Sequence, residues 1–247
     1  MLEGLAKIDW GNIRHCYGPA NDLPNLLRDL ISSDLQRREE VLTLLHSSIS
    51  HQGTIYEATS HAVPFLWEIA GGSAPCDRSG VIALIGAIAN GGGYHAKPTP
   101  QERSWIAQSR AAVRKGLEIA ESHLTSTDVT LRMLSAHVLT SFPEDAERSR
   151  PALRSALQQE TDTRRRAALG MSLMLLGDSA SEAFTSGPLT DLPLAQLQRL
   201  AQRAVNGLTE SQNVLNVIFD LSLPTTTAAD VIDMLADRAP WGGEDDV

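Results

Sequence analysis

Two apolar runs separated by only three polar residues limit what this chain can become. Leu23, Leu26, Leu27, Leu30 and Ile31 fall at i, i+3, i+4, i+7 and i+8, one face of a helix. After Ser32-Ser33-Asp34, Leu35, Leu42, Leu45 and Ile49 form a second face, widened by Val41 and Leu44. The spacing predicts helices over 23–31 and 35–49, and so short a connection makes them an antiparallel pair. Asn21 or Asp22 can cap the first, with Pro24 tolerated in its first turn. Ser33 with Gln36 has the spacing of a capping box for the second. The loop from His51 to Glu57 closes the hairpin, and a third helix begins on Ala62, Val63, Leu66 and Ile69.

The same grammar recurs. An apolar run over 62–70 leads through a Gly/Ser/Pro turn to Asp77-Arg78 and a helix over 81–89. A run over 105–120 leads through Ser126-Thr127-Asp128 to 131–139, and a run over 152–157 leads through Asp162 to 168–176, stopping at Gly177. The aspartates at 34, 77, 128 and 162 stand 43, 51 and 34 apart, in the range of helical-hairpin repeats. The long interval absorbs a Gly-rich insertion near 91–100. Residues 1–21 read as a lead-in and 22–178 as the repeats. Weaker helical patterns over 192–205, 214–221 and 228–235 make 179–240 a divergent helical cap, followed by an acidic tail, 241–247.

Leu23, Leu26, Leu27 and Leu30 with Asp34 and Arg37 or Arg38, Asp128 with Arg132, and Asp162 with Arg165 together resemble the HEAT repeat. Pro64 suits the kinked first helix of that family. The segment running from Tyr17-Gly18-Pro19 through His51-Gln52-Gly53-Thr54-Ile55-Tyr56-Glu57 to Ala62-Val63-Pro64-Phe65-Leu66 is similar to small stand-alone bacterial HEAT-repeat proteins. The resemblance implies an all-α, right-handed α-solenoid, with Arg132 and Arg165 paired to turn aspartates. It also implies a protein-binding scaffold, with an immunity- or antitoxin-like or regulatory role among its uses.

Composition agrees with helix-on-helix packing: aromatics are only 4% of the chain, whereas sheets favour them. The net charge of −9 is uneven, about −3 over 1–109, +1 over 110–203 and −7 over 204–247. A uniformly basic surface for nucleic acid is therefore absent, and a basic protein partner suits the total. Cys16 and Cys76 give neither a CxxC pair nor a disulfide framework. The opening residues lack a basic segment followed by an apolar run, and the apolar run 80–89 is about half a membrane span. These features predict a cytoplasmic protein outside the membrane.

In a stack of hairpins the connections between hairpins share one edge. That places Tyr17 with His15 and Cys16, then His51, Gln52, Tyr56 and Glu57, then Tyr94 and His95, side by side. These three loops, each with a histidine and a tyrosine, are the candidate binding site. The competing reading packs the tyrosines between repeats, their hydroxyls capping helix ends. No pair of histidines has HExxH-type spacing, Gly91–Gly93 lacks the Lys-Ser/Thr of a phosphate loop, and Cys16 is sequence-adjacent to His15 rather than opposed to it. No catalytic residue, metal ligand or cofactor is assigned. The expected function is non-catalytic protein binding. The alternatives are metal-dependent or other enzyme chemistry on the His/Tyr edge, and nucleic-acid binding through Arg148, Arg150, Arg154, Arg164, Arg165, Arg166, Arg199 and Arg203.

Overall fold

A computed structural model of the chain describes residues 1–95 and 97–178. The cap over 179–240, the acidic tail, Arg199 and Arg203 lie outside the described residues. Nine α-helices, three short 3-10 helices and one two-stranded hairpin make up the regular structure of the described residues, which is mostly helical. Two units divide the chain, residues 1–126 and residues from 127 on.

In the first unit a two-stranded hairpin, β1 (Arg14–His15) and β2 (Gly18–Pro19), precedes six helices. They are α1 (Leu23–Asp29), α2 (Leu35–Ile49), α3 (Glu57–Gly71), α4 (Arg78–Ala89), α5 (Pro100–Arg114) and α6 (Leu117–His123). Helix α1 packs on α2 and α3, α3 on α4 and α5, and α2 on α4. Their contact faces are the expected apolar stripes: Leu23, Leu26 and Leu27; Val41, Leu45 and Ile49; Ala62, Leu66 and Ile69; Val81, Leu84 and Ile85. The second unit holds α7 (Val129–Thr140), α8 (Ala146–Gln159) and α9 (Thr163–Leu175), with α9 against both others. Among the described residues no helix is long and apolar enough to cross a membrane.

The turn aspartates start helices. Asp34 Oδ1 accepts from Arg37 N, Asp77 Oδ1 from Gly80 N, Asp128 Oδ1 from Leu131 N and Asp162 Oδ1 from Arg165 N. Each satisfies one of the free N–H groups of a first helical turn. Asp34, not Ser33, therefore caps α2, because the helix begins one residue later than a capping box on Ser33 requires. An arginine then closes the other side of each turn by donating to carbonyls left free at the end of the preceding segment. Arg38 reaches Ser32 O, Arg78 reaches Gly72 O, Arg132 reaches Thr127 O and Arg166 reaches Glu160 O and Leu157 O. Three of these arginines stand four residues after their aspartate. Arg38 and Arg166, rather than Arg37 and Arg165, fill this place.

Arg132 and Arg165 also converge on Glu160, whose side chain is 5% exposed, at 3.2 and 3.1 Å. Arg165 keeps the expected pairing as well, with its Nη1 3.9 Å from its turn aspartate, Asp162. Glu160 also accepts the N–H groups of Thr161 and Asp162. Burial alone would push its carboxyl up. The Asp162 N–H and then the two guanidiniums outweigh that and hold it below its ordinary 4.5.

Three other expectations need correction. The run over 105–120 is two helices, because the chain turns at Lys115-Gly116, where a Cβ on Gly116 would overlap the Trp67 ring. Trp67 is buried there and donates Nε1–H to Val113 O at 3.0 Å. Leu35 and Leu44 are 58% and 46% exposed, since the buried face of α2 is centred on Val41, Leu45, Ser48 and Ile49. The lead-in is built into the first unit: Leu5 and Trp10 are buried, and Trp10 Nε1 donates to Leu5 O. Pro64 does lie inside α3, on its exposed side.

Buried groups set an acid response for each unit separately. Burial lowers His137, in α7, from 6.5 to about 4. The unfolded chain then binds more protons between these values. The second unit keeps its full stability above about pH 6.5 and loses this contribution as pH falls towards 4. Urea midpoints at pH 7 and pH 4.5, followed through the exchange of α9 amides, check it. The difference between the two pH values is expected to shrink in His137→Gln.

Candidate recognition edge

The first loop is a hairpin with a glycine where the turn needs one: Gly18 has φ +132°. His15, 6% exposed, sits under it. Its Nδ1 accepts from Tyr17 N at 3.0 Å, so the proton of the neutral ring is on Nε2 and is donated to Asp22 Oδ1 at 2.8 Å. Cys16 N donates to Ser48 O at 3.0 Å and ties the tip to the end of α2. Tyr17 stands out from this base, 66% exposed, its ring edge-on to His15 at 6.1 Å and to His51 at 5.9 Å.

The second loop opens with a short 3-10 turn, His51–Gly53, in which Gln52 takes a left-handed φ of 51°. Thr59 holds its far end, accepting from Tyr56 N at 3.0 Å and donating to Ile49 O at 2.7 Å. Glu57 Oε2 accepts from Arg14 N at 3.2 Å, so this loop and the first are hydrogen-bonded together. Tyr56 is half-buried beside Cys16; burial first, and then that thiol, raise its hydroxyl well above the ordinary tyrosine range.

The third loop is joined to the second by a parallel bridge between Thr54 and Gly92. Ile55 N donates to Gly92 O at 2.9 Å and Gly92 N to Gly53 O at 2.8 Å. The chains approach so closely that a Cβ on Gly91 would run into Ile55. Beyond the bridge Glu102, buried at the start of α5, collects the loop. Its carboxylate accepts from Thr99 N at 2.7 Å and Tyr94 N at 3.1 Å, and His95 Nδ1 lies 3.1 Å away. Thr99 Oγ1 accepts from Glu102 N in return, a capping box. The Thr99 N–H, working against burial, and then His95 hold the Glu102 carboxyl down at about 2. Tyr94 stands 78% exposed, edge-on to His95 at 5.3 Å.

The structure thus places all three loops on one hydrogen-bonded edge. Tyr17 and His51 share a ring cluster, Glu57 ties the first two loops, and Gln52 is exposed. Tyr94 and His95 form a second cluster with Glu102. Tyr56 is half-buried, whereas Tyr17 and Tyr94 stand outward. Sequence reading missed Glu102, although Thr99-x-x-Glu102 carries the capping-box signal, and it gave Asp22 only a capping role. Asp22 has no capping hydrogen bond; its carboxylate serves His15.

No family model, no curated protein and no solved structure matches this chain. The chemistry of the edge has to be read from its own atoms. Both His15 nitrogens are committed to holding the turn. Among the described residues no three His, Cys, Asp or Glu side chains gather as a site for a metal ion. The arginine run is largely spent within the second unit: Arg150 on Glu147, Arg154 on Asp178, Arg165 on Glu160 and Arg166 on carbonyls.

The low Glu102 value makes its own prediction. A carboxyl depressed from 4.5 to about 2 stabilises the fold fully above pH 4.5, and this contribution is lost as pH falls through 2. The amide of Tyr94 is expected to become exchange-labile in that window, ahead of the α3 amides. Hydrogen exchange between pH 5 and 2.5, corrected for intrinsic rates, reads it.

Proposed function

We propose that this protein is a non-catalytic protein-recognition scaffold, a right-handed solenoid of HEAT-like hairpins that binds its partner through the loop edge. The solenoid reading draws on the capping aspartate and carbonyl-closing arginine that recur in both units. It draws also on the order within the first unit, where α1, α3 and α5 pack in sequence on one another. The observation that carries the recognition reading is the presentation of Tyr17 and Tyr94. Both rings are mostly exposed, yet each stands on a backbone fixed by buried partners, His15 for one and Glu102 for the other. A rigid, exposed tyrosine loses little side-chain freedom on binding, which is the character of an interface anchor. His15 serves as a strut, both ring nitrogens spent on the turn, which favours recognition over chemistry at its loop. An immunity-like or regulatory use is a narrower form of the same reading.

The test is a comparison of the wild-type chain with Tyr17→Ala and Tyr94→Ala. Affinity for a partner captured stoichiometrically from the source cell lysate is expected to fall tenfold or more in either variant. The melting temperature should stay within about 2 °C, because exposed rings contribute little to folding. Loss of stability without loss of capture would return the tyrosines to a packing role.

A further inference from the structure

The recognition edge carries a charge pattern as well as rings. Tyr17 and Asp22 flank the same buried His15 ring, and Glu57 reaches the base of the same hairpin through Arg14 N. Asp22 spends Oδ1 on His15 and Glu57 spends Oε2 on Arg14 N; among the described residues their other oxygens take no hydrogen bond. The Asp22 side chain is 53% exposed. Residues 14–22 and 50–57 contain a single Lys or Arg, the exposed Arg14.

We propose that this end of the edge binds an arginine-bearing segment of a basic protein partner. The guanidinium lies on the Tyr17 ring and is met by the open carboxylate oxygens of Asp22 and Glu57. A tyrosine ring attracts a cation through its quadrupole, and arginine is the commoner occupant of such sites. A planar guanidinium also presents several donors at once to carboxylates, which an ammonium does not. The overall charge of −9 favours approach of a basic chain from a distance. Arg14 opposes the ligand, and this gives the proposal a signature that general stickiness lacks.

This inference rests on the recognition reading, and the experiment separates the two. The full chain is titrated calorimetrically with hexa-arginine, hexa-lysine and hexa-glutamate at low and high salt. Hexa-arginine is expected to bind most tightly, to weaken with salt, and to exceed hexa-lysine; hexa-glutamate is expected not to bind. Glu57→Gln keeps an acceptor for Arg14 N but removes the charge, and is expected to weaken hexa-arginine by about twofold to fivefold. Tyr17→Ala should weaken it by a similar factor, and Arg14→Ala should tighten it. No binding of hexa-arginine at low salt, or binding that none of the three substitutions moves, overturns the proposal. A captured protein partner that depends on Tyr17 but ignores Glu57→Gln and Arg14→Ala overturns it while leaving the recognition reading intact. If capture depends on neither Tyr17 nor Tyr94, both fall.

Discussion

Gly116→Ala is expected to destabilise the first unit by about 3 kcal/mol, a large effect for one methyl group. The added Cβ overlaps three atoms of the Trp67 indole. Trp67 has nowhere to go: it is 4% exposed and its Nε1 is anchored to Val113 O. Relief therefore requires either breaking that buried hydrogen bond or moving α6 away from α3. Urea unfolding followed by tryptophan fluorescence should show a midpoint lower by about 1–2 M, given an ordinary dependence on urea for a unit of this size. A Trp67→Leu background provides the control. Trp67→Leu is itself destabilising, but Gly116→Ala should add little to it, because the overlapped ring is gone. Equal costs in the two backgrounds would show that the glycine is needed for backbone conformation instead.

Glu160→Ala should cost the second unit about 3 kcal/mol. The carboxylate ties α7 to the turn before α9, and removing it strips the acceptor from Arg132, Arg165 and two backbone N–H groups. The figure sits at the low end for a broken buried ion pair because both guanidiniums are about a quarter exposed and regain some hydration. Glu160→Gln retains an acceptor for the Thr161 and Asp162 N–H groups and should lose less than half as much. Hydrogen exchange of the α7 and α9 amides measures each variant against the wild type. An Ala variant as stable as the wild type would mean that the arginines find other acceptors in the same turn.

The mostly helical character of the described residues and the positions of most of their helices were legible in the sequence, because they depend on local terms. Apolar spacing drew the 35–49 helix to the residue, and the turn aspartates marked where second helices start. The residues of the three candidate loops could be named from the sequence, but the hydrogen bonds that join the loops are tertiary. What the alternation of runs and turns does not encode is which of several nearby polar groups wins a contact. Ser33 and Asp34 are both acceptable caps by type; the structure settles on Asp34, and Ser32 Oγ accepts Asp34 N instead.

Contacts between distant residues were decided only by tertiary structure. Nothing local to Gly116 announces Trp67, 49 positions earlier, yet their approach breaks one apolar run into two helices. Asp22 looks like a cap from its neighbours, but the hairpin brings His15 over it and claims its carboxylate. Arg132 and Arg165 look paired to the nearest aspartates, and Arg165 does meet Asp162, but the buried Glu160, already holding two N–H groups, draws both as well. The three tyrosines are alike in sequence. Packing divides them, half-burying Tyr56 beside Cys16 and leaving Tyr17 and Tyr94 outside on fixed backbone. Helix and turn follow from interactions within a few residues, which the sequence states directly. Exposure, ion-pair choice and the geometry of the edge follow from which surfaces the fold brings together.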